Sequence, residues 1–387
     1  MSDAGTRLVD FLRASDKAVI KEQIALAQIP CMSYRADERA AYLIRALGVE
    51  ELAPRRDKTG NIVALRRGVD AASRPTLIVS AHLDSVFIGL SPIKVKRKGR
   101  VLHAPGICDD ASGVANLILL ARALSRFRVE TKGDILFIGS VGEEGGQGVP
   151  WGLERFWNQA RLREPWFVGI DGGVPGRIVT RALGTWTAKV TVTGPGGHSY
   201  ISFGRPNPIS VLSRVVTSVA ALEVARSKDA ACLATVISGG TASNAIPKEA
   251  SVTINVRATD PAYFESMKKK VLGFVEAARK QELARAIEEK WLETDITSRG
   301  RPGGRIAEDH PLVQIAVKAF RAERVKPLFK ASSTDANLPM SLGLPAITIC
   351  SGGRAENLHS RDEWHDMTGR TKELAALGRI VLAVAGQ

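Results

Sequence analysis

The chain of 387 residues is longer than a single hydrophobic core supports, so its length predicts two domains. Apolar residues make up 44% and charged residues 24%, as in water-soluble globular proteins, and no apolar run approaches the roughly 18 residues of a membrane span. The net charge of +14 raises nucleic-acid binding as a hypothesis. We disfavour it, because the basic residues are dispersed and carry no zinc-finger, RNA-recognition or basic-zipper pattern.

The first half of the chain alternates helical and strand patterns. Helical periodicity runs through residues 6–27 and 35–47, with Pro30 and Gly48 as stop signals. Short apolar runs predict strands at residues 60–66, 76–81, 134–141 and 166–170, and a buried helix at residues 114–124. The basic cluster at residues 94–100 is typical of a hairpin turn. This alternation predicts an α/β domain with a largely parallel or mixed sheet.

The pattern changes at residue 184 and changes back at residue 299. The intervening segment predicts strands at residues 186–192, 234–242 and 250–257, and helices at residues 208–224 and 263–288. This order is typical of an antiparallel α+β sandwich of the ferredoxin-like kind. A helix at residues 311–323, a strand at 346–350 and a helix from Thr371 resume the first pattern. We therefore predict a mixed-sheet α/β domain (1–183 and 299–387) with an inserted α+β domain (184–298).

A histidine and a carboxylate end the predicted strand at residues 76–81. His82 and Asp84 are two positions apart, so the strand period of two allows both to point the same way. A metal-bound imidazole usually donates its other N–H to a carboxylate. His82 and Asp84 therefore suggest a metal ligand with its orienting partner.

Further acidic and imidazole side chains follow the other strands and glycine-rich turns of the α/β domain. They are Asp109 and Asp110, Glu143 and Glu144, Asp171, and His359. So many carboxylates at one rim would repel one another without cations. Imidazole with carboxylate suits zinc, manganese or cobalt, and the inventory provides one bridge, two ligands for each of two metals and a spare glutamate for general-base catalysis. A thiolate ligand at Cys108 is not expected.

Six motifs carry a family resemblance over nearly the whole chain. They are His82-Leu-Asp84, Gly106-Ile-Cys-Asp109-Asp110, Gly142-Glu143-Glu144-Gly145, Asp171, Gly197-His198-Ser199 and His359-Ser360. In this order they resemble the co-catalytic metallopeptidases of the peptidase T, carboxypeptidase G and aminoacylase superfamily, most of all its peptidase T-like aminopeptidase and dipeptidase branch. The resemblance implies two divalent metal ions per chain, zinc first and manganese or cobalt as alternatives.

The resemblance also implies a role for each motif residue. One metal would be held by His82 and Asp171, and the other by Glu144 and His359. Asp109 would bridge them, with a cis peptide to Asp110. Asp84 would orient His82, and Glu143 would be the general base that deprotonates the bridging water and later protonates the leaving amine.

The inserted domain would be a lid and dimerisation domain, which implies a homodimer. His198 would stabilise the oxyanion, either in its own subunit or across the dimer. Positions matching substrate contacts are Asn207, Asn244, Arg257, Asp335 and Asn337. The alternative role for the asparagines is to form turns, and for Arg257 it is to form a structural ion pair. His103, His310 and His365 match no motif and are expected to be solvent-facing or helix-capping.

Departures from the family's motifs bear on the substrate class that the resemblance implies. Asp171 stands where many deacylases of the superfamily have glutamate, which favours a small-peptide exopeptidase. An amidohydrolase of N-acyl or N-carbamoyl amino acids is the alternative, and a non-catalytic binding protein is disfavoured because the ligand set and Glu143 are complete. Four widely spaced cysteines and an N-terminus without a secretory pattern predict a cytoplasmic protein without a membrane partner.

Overall fold

The computed structural model describes residues 2–31, 36–50, 52–87, 89–145, 152–160, 162–225, 227 and 229–387. The chain divides into two compact units. The first unit combines Met1–Arg181 with Arg305–Gln387, and the second is Ala182–Gly304. The predicted insertion, residues 184–298, falls within the span of the second unit.

The helices and strands of the described residues follow in chain order. The helices are α1 (Asp3–Ala14), α2 (Asp16–Ala27), α3 (Asp37–Gly48), α4 (Ala111–Arg126), α5 (Gly152–Gln159), α6 (Pro208–Ala220), α7 (Pro261–Arg285), α8 (Pro311–Ala322), α9 (Asn337–Ser341) and α10 (Arg370–Ala385), with a 3-10 turn at Ala71–Ser73. The strands are β1 (Arg55–Arg56), β2 (Ile62–Arg66), β3 (Leu77–His82), β4 (Lys96–Lys98), β5 (Val101–His103), β6 (Ile135–Ser140), β7 (Trp166–Ile170), β8 (Arg177–Ala182), β9 (Gly184–Thr193), β10 (Gly197–His198), β11 (Ala231–Gly239), β12 (Ala245–Ile246), β13 (Glu249–Ala258), β14 (Glu293–Arg301), β15 (Gly304–Arg305), β16 (Leu328–Ser332), β17 (Ala346–Ile349), β18 (Arg354–Glu356) and β19 (Trp364–Asp366).

A mixed sheet forms the centre of the first unit, as the sequence predicted. Its strand order is β1-β2-β6-β3-β7-β17-β8, and β16 pairs with β8. The inner strands β6, β3, β7 and β17 are parallel, whereas β2 and β8 run antiparallel to their neighbours. Strands β3 and β6 are buried along their whole length, and α4 packs on β3 and β7 and contacts α1, α2, α3 and α10. The carboxyl ends of the parallel strands therefore meet at one edge of the sheet.

An antiparallel sheet of order β11-β13-β9-β14 forms the second unit. Buried and partly exposed positions alternate along β9 and β13, as the strand period requires when one face is covered. Helices α6 and α7 contact β9 and β13. Their facing side chains form one apolar core, which includes Val190, Val215, Ile254, Phe264 and Val271. This is the α+β architecture that the sequence predicted.

Three expectations need correction. The helix predicted over residues 6–27 is interrupted at Ser15, whose hydroxyl donates to the Phe11 carbonyl at 2.6 Å, and α2 begins at the next residue. Strand β14 was missed, because its polar sequence lacks the apolar alternation of a half-buried strand. His365 is fully buried rather than solvent-facing, since its ring lies 2.7 Å from the Gly352 carbonyl and 2.9 Å from Gln23.

Other expectations hold within the described residues. His103 is exposed, and His310 caps α8 by accepting the Leu312 N–H at 3.1 Å. The basic cluster at residues 94–100 forms β4 and the turn to β5. The second predicted helix begins at Asp37; its predicted start, Arg35, lies outside the described residues. Among the described helices, none combines the length and apolar character that crossing a membrane requires.

Candidate metal centre

The ligand candidates stand where the parallel strands of the first unit end. His82 is the last residue of β3, and Asp171 follows the last residue of the adjacent parallel strand β7. Glu143 and Glu144 follow β6 after a short turn in which Gly142 has φ 75°. A positive φ is easily adopted only by glycine, so Gly142 lets the chain turn sharply at the sheet edge.

The first ligand group consists of His82, Asp109 and Asp171. Their ligand atoms all lie within 4.8 Å of one another. His82 Nε2 is 2.9 Å from Asp109 Oδ1, and both side chains are buried. These are the residues expected around one metal and its bridge.

The second ligand group consists of Asp109, Glu144 and His359, again with ligand atoms within 4.8 Å. His359 Nε2 lies 3.1 Å from Asp109 Oδ2 and 3.1 Å from Glu144 Oε2. Asp109 therefore belongs to both groups and turns one carboxylate oxygen to each histidine. This arrangement allows a bridging carboxylate to give one oxygen to each of two cations.

Charge and burial in this cluster favour cations. Burial, then the neighbouring Asp109, raises the pKa of Glu144 to about 8 and that of Asp171 to about 7. Hydrogen bonds to Asp109 and Glu144 raise the pKa of His359 to about 11. Burial opposes ionisation of Asp109, but hydrogen bonds from His359 and His82 hold its pKa below the usual range. Divalent ions would replace these shared protons and stabilise every carboxylate in its charged form.

One orphaned atom provides a test of fit. Glu144 Oε1 is buried and has no hydrogen-bond partner in the described structure, although its other oxygen faces His359. An unpaired buried carboxylate oxygen is costly unless a cation binds it. The donor set of two imidazoles and three carboxylates, with no thiolate, fits a pair of divalent cations.

Asp84 connects the end of β3 with the glutamate turn. Its carboxylate oxygens accept the backbone N–H groups of Glu143 at 3.1 Å and Glu144 at 3.0 Å. Nδ1 of His82 lies 3.2 Å from the Asp84 carbonyl oxygen and 3.6 Å from the nearer carboxylate oxygen. Asp84 thus contacts His82 most closely through its backbone carbonyl, while its side chain binds the backbone of the two glutamates, a contact that the sequence did not suggest.

Asp110 is a linker rather than a member of either ligand group. The Asp109–Asp110 peptide is cis, as the family resemblance implied. The Asp110 carboxylate accepts the His82 N–H at 3.1 Å and the Gly113 N–H at 2.9 Å, which caps α4. It thereby ties the start of α4 to the end of β3.

Glu143 and Asp335 line a small cavity together with His82 and Asp171. Glu143 is buried, and its backbone is fixed by Asp84. The Asp335 carboxylate accepts the hydroxyl of Ser140, the last residue of β6. Both residues therefore border the same cavity as two members of the first ligand group.

The other substrate-contact candidates have mostly turn or strand contacts. Asn337 is fully buried and accepts the Thr334 N–H at 2.8 Å, as a turn former does. In the second unit, Asn207 caps α6 through the Ile209 N–H at 2.9 Å. Arg257 is exposed and donates to Asn255 at 3.1 Å. Their substrate contacts stay predictions.

His198 and Asn244 lie close together in the second unit. Strands β10 and β12 form a two-stranded ribbon in which His198 pairs with Ala245. The Asn244 carbonyl accepts the Ser199 N–H at 2.9 Å, and both candidate side chains belong to exposed residues. The structure therefore presents them on one ribbon.

Two fully buried arginines near the ligand residues were not anticipated. Arg39 donates to the carbonyl of Leu83, between His82 and Asp84, at 3.1 Å. Arg370 donates to Ser112 and Asn116 of α4, and burial lowers its pKa to about 10. Neither burial was expected from the sequence, because arginine is rarely buried.

The chain is similar to known proteins in sequence and in fold. The model of peptidase family M20/M25/M40 matches residues 78–385. A putative succinyl-diaminopimelate desuccinylase of Mycobacterium tuberculosis is 28% identical over 88% of this chain and 91% of its own. Two solved structures share the fold: a Staphylococcus aureus tripeptidase (TM-score 0.79, 17% identity, covering 96% of this chain and 99% of that one) and the Bacillus cereus aminopeptidase PepT (TM-score 0.77, 20% identity, 96% and 99%).

Proposed function

The chain belongs to peptidase family M20/M25/M40 and is a metal-dependent peptidase or amidohydrolase. We propose that it hydrolyses small peptides as an aminopeptidase- or dipeptidase-like exopeptidase. The observation that carries the proposal is the position of Asp109 between two ligand groups, with Glu143 in the cavity of the first. Two divalent ions held there would lower the pKa of a water molecule and polarise the substrate carbonyl.

Glu143 is the general base in this proposal. Glu143 lines the same cavity as His82 and Asp171 and belongs to neither ligand group. Asp84 fixes its backbone by accepting its N–H. Its carboxylate takes a proton from the attacking water and returns it to the leaving amine. Glu144, the next residue, points to His359 instead, so the turn separates the two roles.

His198 is the proposed oxyanion donor. Its Nδ1 accepts the backbone N–H groups of Tyr200 at 3.2 Å and Ile201 at 3.4 Å. A nitrogen that accepts hydrogen bonds carries no proton, so the neutral ring holds its proton on Nε2. Nε2–H is then a fixed donor for the negative charge that develops on the substrate carbonyl.

The substrate class is proposed from Asp171. In the superfamily, aspartate at this position is more frequent among aminopeptidases and dipeptidases than among deacylases, and the solved structures that share this fold include a tripeptidase and an aminopeptidase. Asp335 and Asn244 are the side chains proposed to contact the peptide, since one lines the ligand cavity and the other lies beside His198.

A second function has its own support. The curated relatives that match over much of the chain are named as succinyl-diaminopimelate desuccinylases, a name that denotes removal of a succinyl group. The alternative is therefore a deacylase of N-acyl or N-carbamoyl amino acids that uses the same centre and the same base.

Metal identity, assembly and location complete the proposal. Zinc is proposed, with manganese or cobalt as substitutes, because imidazole and carboxylate donors suit all three. A homodimer is proposed through the second unit, where Leu233, Val236 and Ile237 are exposed along the edge strand β11. All four cysteines are free thiols, the state expected in the proposed cytoplasmic location.

A matched substrate panel tests the function. Dipeptides and tripeptides with free amino termini are compared with N-succinyl, N-acetyl and N-carbamoyl derivatives of the same residues, in protein loaded with zinc, manganese or cobalt. Faster turnover of the free peptides supports the exopeptidase, and faster turnover of the derivatives supports the deacylase. No turnover of any compound by fully loaded protein would contradict both.

A further inference from the structure

Glu363 is a fully buried carboxylate that neither ligand group includes. It accepts three backbone N–H groups from the loop that carries Asp109. Its Oε2 accepts from Gly106 at 2.8 Å, and its Oε1 accepts from Cys108 at 2.8 Å and from Asp109 itself at 3.1 Å.

The loop needs such a partner because it lies between regular elements. It follows β5 and ends where α4 begins, so neither a strand nor a helix pairs these N–H groups. Gly106 has φ 66°, a left-handed conformation that glycine adopts without strain. A carboxyl group has two acceptor oxygens with room for several N–H donors, so one side chain pairs all three groups. Glu363 therefore fixes the backbone on which the Asp109 side chain stands.

The segment that carries Glu363 also carries a ligand. His359 precedes Glu363 by four positions and reaches Asp109 Oδ2 with its ring. Glu363 reaches the Asp109 N–H in turn, and its own carbonyl accepts the Ala104 N–H at 3.1 Å. One short segment thus holds Asp109 by its side chain and by its backbone.

We propose that Glu363 is a positioning residue that sets the Asp109 carboxylate between the two ligand groups, so that it controls binding at both metal positions. The role rests on the proposed two-metal centre. A purely structural Glu363 would stabilise the loop without affecting metal affinity. A positioning Glu363 affects both ions together, because Asp109 is the residue that both groups share.

Metal binding to the apoprotein separates these roles. Wild type, Glu363→Gln, Glu363→Asp and His359→Ala are stripped with chelator and titrated with Zn²⁺ in competition with a chromophoric chelator, which gives a Kd for each site. Glutamine has the size of glutamate, but its NH₂ group cannot accept an N–H, so at least one of the three bonds is lost. Partners that orient metal ligands typically contribute ten- to a hundredfold to affinity.

We expect Glu363→Gln to weaken the binding of both ions by about tenfold or more, whereas His359→Ala should weaken the binding of chiefly one ion. Glu323→Gln is the matched control, because Glu323 is also buried but binds Arg13 and Arg379 rather than the ligand loop. The control is expected to lower the melting temperature of the apoprotein and leave both Kd values within twofold.

The positioning role would be overturned if Glu363→Gln had a lower melting temperature but bound both ions with the same Kd values as wild type. If that variant does not fold, Glu363→Asp decides in the same way: a joint loss at both sites supports the role, and unchanged affinities overturn it. If wild type does not bind two ions, both the proposed centre and this role are overturned. That result differs from one in which wild type binds two ions and the Glu363 variants bind them equally well, which overturns only the role of Glu363.

Discussion

Asp84 holds the backbone N–H of Glu143 at 3.1 Å across 59 positions of the chain. The contact joins two parallel strand ends, since Asp84 follows β3 and Glu143 follows β6. It places the proposed base relative to the first ligand group without using any atom of the base's own carboxylate. The geometry of the base therefore depends on a residue that performs no chemistry itself.

Glu143→Gln is expected to remove most of the activity and to leave metal content and melting temperature nearly unchanged. The amide is nearly isosteric but cannot accept a proton, and general acid–base catalysis contributes roughly a hundred- to ten-thousandfold. The measurement is kcat on the best substrate of the panel, with metal content determined on the same sample. Activity within tenfold of wild type would place the base elsewhere.

Asp84→Asn is expected to lower kcat by roughly tenfold to a hundredfold, the range for residues that orient ligands. Its amide NH₂ would face one of the two N–H groups that the carboxylate now accepts. Because the turn holds both glutamates, metal affinity should fall together with kcat, unlike in Glu143→Gln. A loss of kcat with unchanged metal affinity would show that Asp84 does not hold Glu144.

Metal content is expected to reach two ions per chain, and His82→Ala or His359→Ala should each lose one. Asp109→Ala should lose both, because Asp109 is shared by the two ligand groups. Atomic emission spectroscopy on protein soaked in zinc, manganese or cobalt measures the content. A maximum of one ion in every case would contradict the dinuclear centre.

A homodimer is expected in solution, with Val236→Lys shifting it to the monomer of 41.6 kDa. Val236 and Ile237 are 60% and 61% exposed on β11, at the edge of the second unit's sheet. An apolar edge strand favours pairing with another strand, and a lysine there opposes it. Light scattering at micromolar concentration tests both proteins, and a monomeric wild type would remove the interface.

Acid should destabilise the apoprotein partly through Glu323. Burial opposes its ionisation, but hydrogen bonds from Arg13 and Arg379 hold its pKa below 4.5. A carboxylate with a lowered pKa contributes stability above its unfolded pKa and loses it as the pH falls through its folded pKa. Glu323→Gln should therefore cost about 1–3 kcal/mol at neutral pH and less as the pH falls below 4.5.

Urea unfolding of metal-free wild type and Glu323→Gln between pH 3 and pH 7 measures this difference, at roughly one-unit steps. Metal-free protein is needed because acid also protonates the metal ligands. A difference that stays constant across the range would show that the charge of Glu323 is not responsible.

The candidate ligands could be picked out from the sequence because local rules govern their positions. His82, Glu144 and Asp171 follow apolar runs, and a parallel sheet brings such strand ends together. Asp109 and His359 came from motifs. The partners of Glu363 were not predicted, since its bond to Asp109 spans 254 positions and no local pattern encodes it.

Burial of polar residues was the other feature that the sequence did not reveal. His365 and Arg370 are fully buried in one network with Gln23, yet both types are usually found at or near the surface. Their burial follows from the packing of α2, α4 and α10, which is a tertiary property. Strand β14 was missed for a related reason, since its side chains are largely exposed and its pairing with β9 is a backbone interaction.

The position of β17 in the sheet has a consequence for synthesis. Strand β17 lies between β7 and β8, although it is made only after the whole second unit. On the ribosome, the contiguous second unit can fold before β17, the strand that lies between β7 and β8, has been synthesised. During that interval the nascent first unit therefore has an unpaired strand edge, which is the kind of surface that a chaperone would bind.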